Sequence, residues 1–241
     1  MRKLLKALKG YHNILFLDFE GTQFSHEMIA FGAIFVSIDK NGRVKKKKEP
    51  IKYYVKAKNQ VGKFVENLTG ISDFDLRRYG ITFADALVKI KKYCGINFKK
   101  TIFMTFGNHD MRILTQSASY TLNADRDILN LIKKNYVDFQ AFISEFIKDE
   151  NNNPLSLSHY LEVFGVEFDG QVHDPKYDAV NLEVLFEEFM KNKEVVLSEY
   201  NKVLANKNNL PDPIGKVVKK LASGQGVTAE EFQDYLREYI K

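Results

Sequence analysis

The stretch Ile14-Leu15-Phe16-Leu17-Asp18-Phe19-Glu20-Gly21-Thr22 decides how the chain is read. Four apolar residues lead straight into Asp18, and Glu20 follows two positions later. The apolar run predicts a buried strand. Alternate side chains of a strand share a face, so Asp18 and Glu20 point the same way. Two carboxylates side by side at a buried strand end repel each other and resist ionising. A divalent cation relieves that repulsion, and hard oxygen ligands suit Mg²⁺ or Mn²⁺.

Further acidic residues stand where such a site could use them. A second apolar run, Thr101-Ile102-Phe103-Met104-Thr105-Phe106, reads as a buried strand ending at Gly107-Asn108-His109-Asp110. Asp174-Pro175 reads as an N-cap and first helical position, which puts Asp178 in the first turn of a late helix. His173 lies five positions before Asp178. Brought together, Asp18, Glu20, Asp110, Asp178 and His173 supply what phosphodiester hydrolysis needs. Two metals about 3.5–4 Å apart activate a water and stabilise the leaving oxygen. An imidazole, which titrates near neutral pH, takes the proton from that water.

The rest of the chain reads as an α/β pattern with a mixed sheet. Residues 1–13 form a short basic lead. Strands are predicted at 14–19, 28–38 and roughly 44–57, with Asp39-Lys40-Asn41-Gly42 as a hairpin turn. Residues 65–70 read as a loop, and a helix runs from Thr82 to Gly95. Helical patterns follow at about 110–118 and 125–134, a strand at 135–140, and helices at about 140–148 and 156–164. Leu182, Leu185, Phe186 and Phe189 give the late helix one apolar face. Beyond 193 the pattern weakens; 206–213 reads as a linker, with small helices near 217–221 and 228–239.

DFEGT at 18–22, GNHD at 107–110 followed by MRIL, and HDPKYD at 173–178 resemble, in order, the three exonuclease motifs of the DnaQ-like, or DEDDh, 3′–5′ exonuclease family. The His-x-x-x-x-Asp spacing is similar to the histidine variant of that family. GNHDMRIL, with Leu68-Thr69-Gly70-Ile71, resembles the subgroup of Eri-type RNA exonucleases and bacterial KapD-like proteins. The likeness spans about residues 11–192 and implies a ribonuclease-H-like mixed sheet flanked by helices. It implies that Asp18, Glu20 and Asp178 bind one metal. Asp18 would also touch a second, with Asp110 acting there directly or through water, and His173 would be the general base. Backbone at Glu20, Gly21 and Thr22 would hold the 3′-terminal nucleotide, with Phe24 or Met28 packing on its base. The expected division is an exonuclease domain at 1–192 and a helical appendage at 193–241.

Composition bounds the alternatives. The chain has 241 residues, 44% hydrophobic and 28% charged, enough for one sizeable domain with an extension. No run approaches the roughly 20 apolar residues of a membrane helix. Met1 to Gly10 lacks the uninterrupted apolar core of a signal peptide. The single cysteine, Cys94, excludes an internal disulfide and fits a reducing cytoplasm; its helical apolar setting reads as core. Net charge is +5, a mild tilt towards polyanions. From Lys40 to Lys63 stand ten basic residues and one acidic residue, Glu49. They read either as a solvated sheet edge or as contacts to a nucleic-acid backbone. Taken singly, each acid has a structural reading: Asp110 and Asp178 suit helix N-termini. His12, His26, His109 and His159 read as surface or structural. The set in order points to a metal-dependent 3′–5′ exonuclease acting on single-stranded RNA or DNA. Its rivals are a nucleic-acid-binding regulatory module with little hydrolysis and a polymerase proofreading subunit.

Overall fold

In the computed structural model, which describes residues 2–207 and 210–240, the opening stretch is a strand buried on both faces. A short helix, α1 (Arg2–Ala7), precedes β1 (Asn13–Gly21). Leu15, Leu17 and Phe19 of β1 enter one hydrophobic cluster, and Ile14 and Phe16 enter another. β2 (Met28–Ile38) runs antiparallel to β1 and sets Asp18 opposite Gly32. β3 (Val44–Lys47) and β4 (Ile51–Tyr54) both pair antiparallel with β2. The single strand expected over 44–57 is therefore two. Pro50 stands between them, and its lack of an N–H breaks a ladder.

The segment expected as a loop at 65–70 is a helix, α2 (Lys63–Thr69), closed by Gly70 in the left-handed region at φ 71°. It is followed by α3 (Asp73–Tyr79), started by a Ser72–Asp75 capping box. Next comes α4 (Phe83–Cys94), whose Phe83, Ala86, Leu87, Ile90 and Cys94 are buried. β5 (Thr101–Thr105) lies parallel to β1 on the side away from β2. Then come α5 (His109–Ser119), α6 (Arg126–Lys134) and β6 (Tyr136–Asp138), which pairs parallel with β5. The helix expected at 140–148 is the five-residue α7 (Phe139–Ile143), capped by Asp138. The sheet order is β3-β2-β1-β5-β6, with β4 also on β2. This is the mixed sheet that the strand pattern predicted.

The second face of the sheet is covered by α8 (Leu157–Val163) and α9 (Pro175–Lys191). The α9 face of Leu182, Leu185, Phe186 and Phe189 is essentially inaccessible to solvent. Each such side chain contributes roughly 2 kcal/mol of transfer free energy. Three helices close the chain: α10 (Lys193–Ala205), α11 (Asp212–Ala222) and α12 (Ala229–Ile240). The weak pattern after 193 is thus a helix, α10. It packs through Val196 on the second cluster, and Tyr200 lies 5.3 Å from the Phe146 ring. Of the basic lead 1–13, residue 1 lies outside the described residues, as do 208 and 209 of the linker 206–213 and residue 241 of the appendage. Among the described residues no helix is long and apolar enough to cross a membrane. Cys94 is core, and burial pushes its thiol up to about 12, so it is no nucleophile.

Candidate active site

Three chain segments deliver the acidic residues to one cavity of about 650 Å³. β1 delivers Asp18 and Glu20, which follow Ile14 and Phe16 on the same strand face. The turn after β5 delivers Asp110, in the first turn of α5. That turn is braced: the Gly107 N–H donates to Asp138 Oδ1, and the Tyr136 hydroxyl donates to the Gly107 carbonyl. Asp110 is tied to the central strand itself, because its Oδ1 accepts the Phe19 N–H at 2.7 Å. α9 delivers Asp178, four positions after its N-cap Asp174. His173 precedes that cap and holds φ 64°, a backbone region an L-residue enters only when its surroundings demand it.

The electrostatics show how crowded the carboxylates are. Burial, then the charges of Asp110, Asp178 and Glu20, raise Asp18 well above the usual carboxylate range. Glu20 is pushed to about 8 by burial and by Asp178 and Asp110, while Lys52 pulls it down. Burial lifts Asp110 and Asp178 to about 7, against backbone hydrogen bonds from Phe19 and His173 that favour their charged forms. Four acids that cannot all ionise together call for compensating positive charge. The carboxylate oxygens of Asp18, Glu20, Asp110 and Asp178, which all line the cavity, suit a hard divalent cation; the group whose ligand atoms all lie within 4.8 Å of one another is Glu20, Asp178 and His173, without Asp18 or Asp110. The same spacing puts the His173 imidazole beside the carboxylates.

A family model described as RNase T-type exonuclease matches residues 15–186. The chain belongs to that exonuclease family. No curated protein sequence matches this exonuclease. Among solved structures, it is similar to the nuclease domain of 3'hExo, a DEDDh family member bound to rAMP. The identity there is 21%, over 76% of this chain and 94% of that one, with a TM-score of 0.62. It is also similar to cell-death related nuclease 4 (19% identity, 76% and 65% coverage, TM-score 0.58). A third is E. coli Exonuclease I in complex with a dA16 oligonucleotide (18% identity, 80% and 45% coverage, TM-score 0.56). The likeness to these three is one of fold.

Of the substrate contacts expected from the sequence, Gly21 and Thr22 line the exonuclease's cavity and two others do not. Met28 is 1% exposed, packed in the cluster that holds Leu17 and Phe19, and its N–H donates to Ser117 Oγ. It belongs to the sheet face opposite Asp18 and Glu20, so it cannot reach a base. Phe24 is 83% exposed and stands outside the cavity. The apolar wall comes instead from Phe64 and Leu68 of α2 and from Val172. His26 and His109, read as structural from the sequence, both line the cavity with their rings edge-to-face at 5.4 Å.

Two supports were also missed. Glu27 is 4% exposed, and its carboxylate accepts from the Lys58 and Asn59 N–H groups and the Asn59 side chain. It ties the turn carrying Thr22 and Gln23 to the loop leading into α2. Lys52 donates to Asp174 Oδ2 at 2.7 Å, while Asp174 Oδ1 caps α9 at the Lys176 N–H. Asp174→Ala removes both bonds and is expected to cost about 1–2 kcal/mol. Urea denaturation checks this, and an unchanged midpoint would refute the cap.

Proposed function

We propose that this exonuclease removes nucleotides from the 3′ end of single-stranded RNA or DNA, releasing nucleoside 5′-monophosphates with two bound Mg²⁺ or Mn²⁺ ions. The observation that carries the reading is the meeting of Asp18, Glu20, Asp110, Asp178 and His173, from three segments, in one cavity. Its volume is in the range of small-molecule sites, enough for a terminal nucleotide. The similarity of fold to a nuclease bound to rAMP supports a nucleotide there.

In this reading Asp18, Glu20, Asp110 and Asp178 hold the cations, which when bound supply Lewis acidity at the scissile phosphate and lower the pKa of a bound water. The chain's own residues do the rest. His173, beside Glu20 and Asp178, accepts the proton of the attacking water at a ring nitrogen. The αL backbone at His173 and the Asp174 cap set the point on the chain from which that imidazole extends. Phe64, Leu68 and Val172 form the side on which the terminal base packs, covering apolar surface that is open to solvent without it.

The test is an oligonucleotide labelled at either end, in RNA and DNA forms, incubated with Mg²⁺, Mn²⁺ or EDTA. Stepwise shortening from the 3′ end, stopped by EDTA, is the expected result. Degradation that persists in EDTA overturns the reading. His173→Gln keeps a polar side chain and loses the base; kcat is expected to fall roughly a hundredfold with KM nearly unchanged. A kcat within threefold of the parent would remove His173 from the mechanism.

A further inference from the structure

A second charged surface lies beside the cavity, and the structure separates it from the lysine run that drew attention in the sequence. Three of the edge lysines are engaged internally: Lys45 with Asp39, Lys47 with Glu183 and Glu187, and Lys48 with the Tyr93 carbonyl; among the described residues Lys40, Arg43 and Lys46 enter no ion pair. The cations from 56 to 78 differ in gathering round a concavity of their own. Among the described residues, Lys56, Lys58, Lys63, Arg77 and Arg78 enter none of the ion pairs. Lys56, Lys58 and Arg77 share one concavity of about 390 Å³. The single carboxylate there, Asp73, is turned to the Val61 N–H at 3.1 Å.

This concavity is joined to the cavity by hydrogen bonds. The Gln23 N–H donates to the Val61 carbonyl, and Gln23 Oε1 accepts the Phe64 N–H. Val61 in turn is the residue bonded to Asp73. At 100° per residue, Arg77, Phe74 and Arg78 follow one another round α3. Phe74 is 56% exposed, and the Arg78 guanidinium sits 5.8 Å from its ring centroid. Free cations next to an exposed ring carrying an arginine are the chemistry that tracks single-stranded nucleic acid.

We propose that the α2–α3 face holds the part of a single strand lying 5′ of the nucleotide being removed. Its phosphates lie in the Lys56–Lys58–Arg77 concavity and a base stacks on Phe74 and Arg78. A strand is the fitting occupant because both halves of its chemistry are matched side by side: repeating negative charge by unpaired cations, flat bases by an exposed ring. This rests on the exonuclease reading above and adds a length preference to it. A substrate too short to leave the cavity gains nothing from α3, while a longer one does.

The experiment compares a dinucleotide with a strand of about 12 nucleotides, within the site sizes usual for such grooves, using the parent, Lys58→Glu/Arg77→Glu and Phe74→Ala. For the long strand KM is expected to rise about tenfold in each variant with kcat unchanged, and the dinucleotide kinetics to stay within twofold. In parallel, fluorescence anisotropy on the Asp18→Asn background measures binding of the labelled strand without turnover. The double variant is expected to bind more weakly and to lower the salt slope by about 1.4, the loss of two phosphate contacts. Equal changes on both substrates, or none on the long one, overturn the proposal. A parent that binds the long strand through these residues yet degrades neither substrate refutes the exonuclease reading and leaves the track standing.

Discussion

Asp18→Asn is expected to abolish turnover, by about a thousandfold or more, and to make the cation-free fold more stable. The first effect follows from the proposed mechanism, in which Asp18 is a cation ligand at the centre of the carboxylate set and the cations would supply several kcal/mol to the transition state. The second follows from the charges. Burial, Asp110, Asp178 and Glu20 all oppose ionisation of Asp18, so its charge is a load on the folded state unless a cation balances it. Removing that charge also relieves its neighbours.

The sign with pH is fixed by the same shifts. Glu20 at about 8 and Asp110 and Asp178 at about 7 lie above the roughly 4 of an unfolded chain. Between pH 4 and 8 the folded state therefore binds more protons than the unfolded state, and stability falls as pH rises. A carboxyl lifted from about 4 to about 7 costs on the order of 4 kcal/mol once ionised. The group repels jointly, so these costs do not add. Urea denaturation at pH 5 and pH 8, in EDTA and in Mg²⁺, checks this. The parent is expected to be less stable at pH 8 in EDTA, to recover in Mg²⁺, and to show a steeper pH dependence than Asp18→Asn. Equal slopes for the two proteins would sink the idea of a frustrated acidic cluster.

Gly32→Ala is expected to cost about 3 kcal/mol of stability and about a hundredfold in activity, though Gly32 touches no substrate. A Cβ there would stand 1.8 Å from the Pro175 carbonyl oxygen and 2.4 Å from the Lys176 nitrogen, both backbone atoms that cannot turn aside. Only glycine lets the first turn of α9 rest on β2. Because β2 sets Gly32 opposite Asp18, that contact fixes how far Asp178 lies from Asp18. Pushing the turn back by roughly 1 Å strains a packed interface and displaces Asp178, a cation ligand in the proposed mechanism, by an amount that commonly costs two orders of magnitude. Gly215→Ala is the control. Nothing lies within 4 Å of a Cβ there, at the fourth position of α11, and it should gain up to about 1 kcal/mol. A Gly32→Ala protein with parental activity and unfolding midpoint would refute the close approach.

The elements legible in the sequence were those whose burial follows a simple period. β1, β2 and β5 announce themselves by unbroken apolar runs, and α9 by Asp174-Pro175 followed by one apolar face. The elements that escaped are short or weakly patterned. α2 and α3 span seven residues each, and the Ser72–Asp75 box was the available signal for α3. α10 buries only Val196 and Val203, too few for a clear stripe. β3 and β4 ran together because Pro50, which separates them, lies inside one continuous strand-like composition.

The sequence by itself determined the kind of chemistry: alternation places Asp18 and Glu20 on one strand face, and Asp110 and Asp178 fall at helix starts whatever the fold around them. Those facts depend on backbone periods of two and 3.6 residues, which are local. What stands around the acids was decided by tertiary structure. Met28 left the cavity because it lies on the sheet face opposite the acids, packed with Leu17 and Phe19, Phe64 and Leu68 entered it because Gln23 and Glu27 hold the loop before α2, and Lys52 reached Asp174 because β4 lies on β2. Each of these contacts joins residues far apart in the chain, so no window of sequence carries them. Only the packed sheet, with glycine at 32 to let α9 down, brings them to one place.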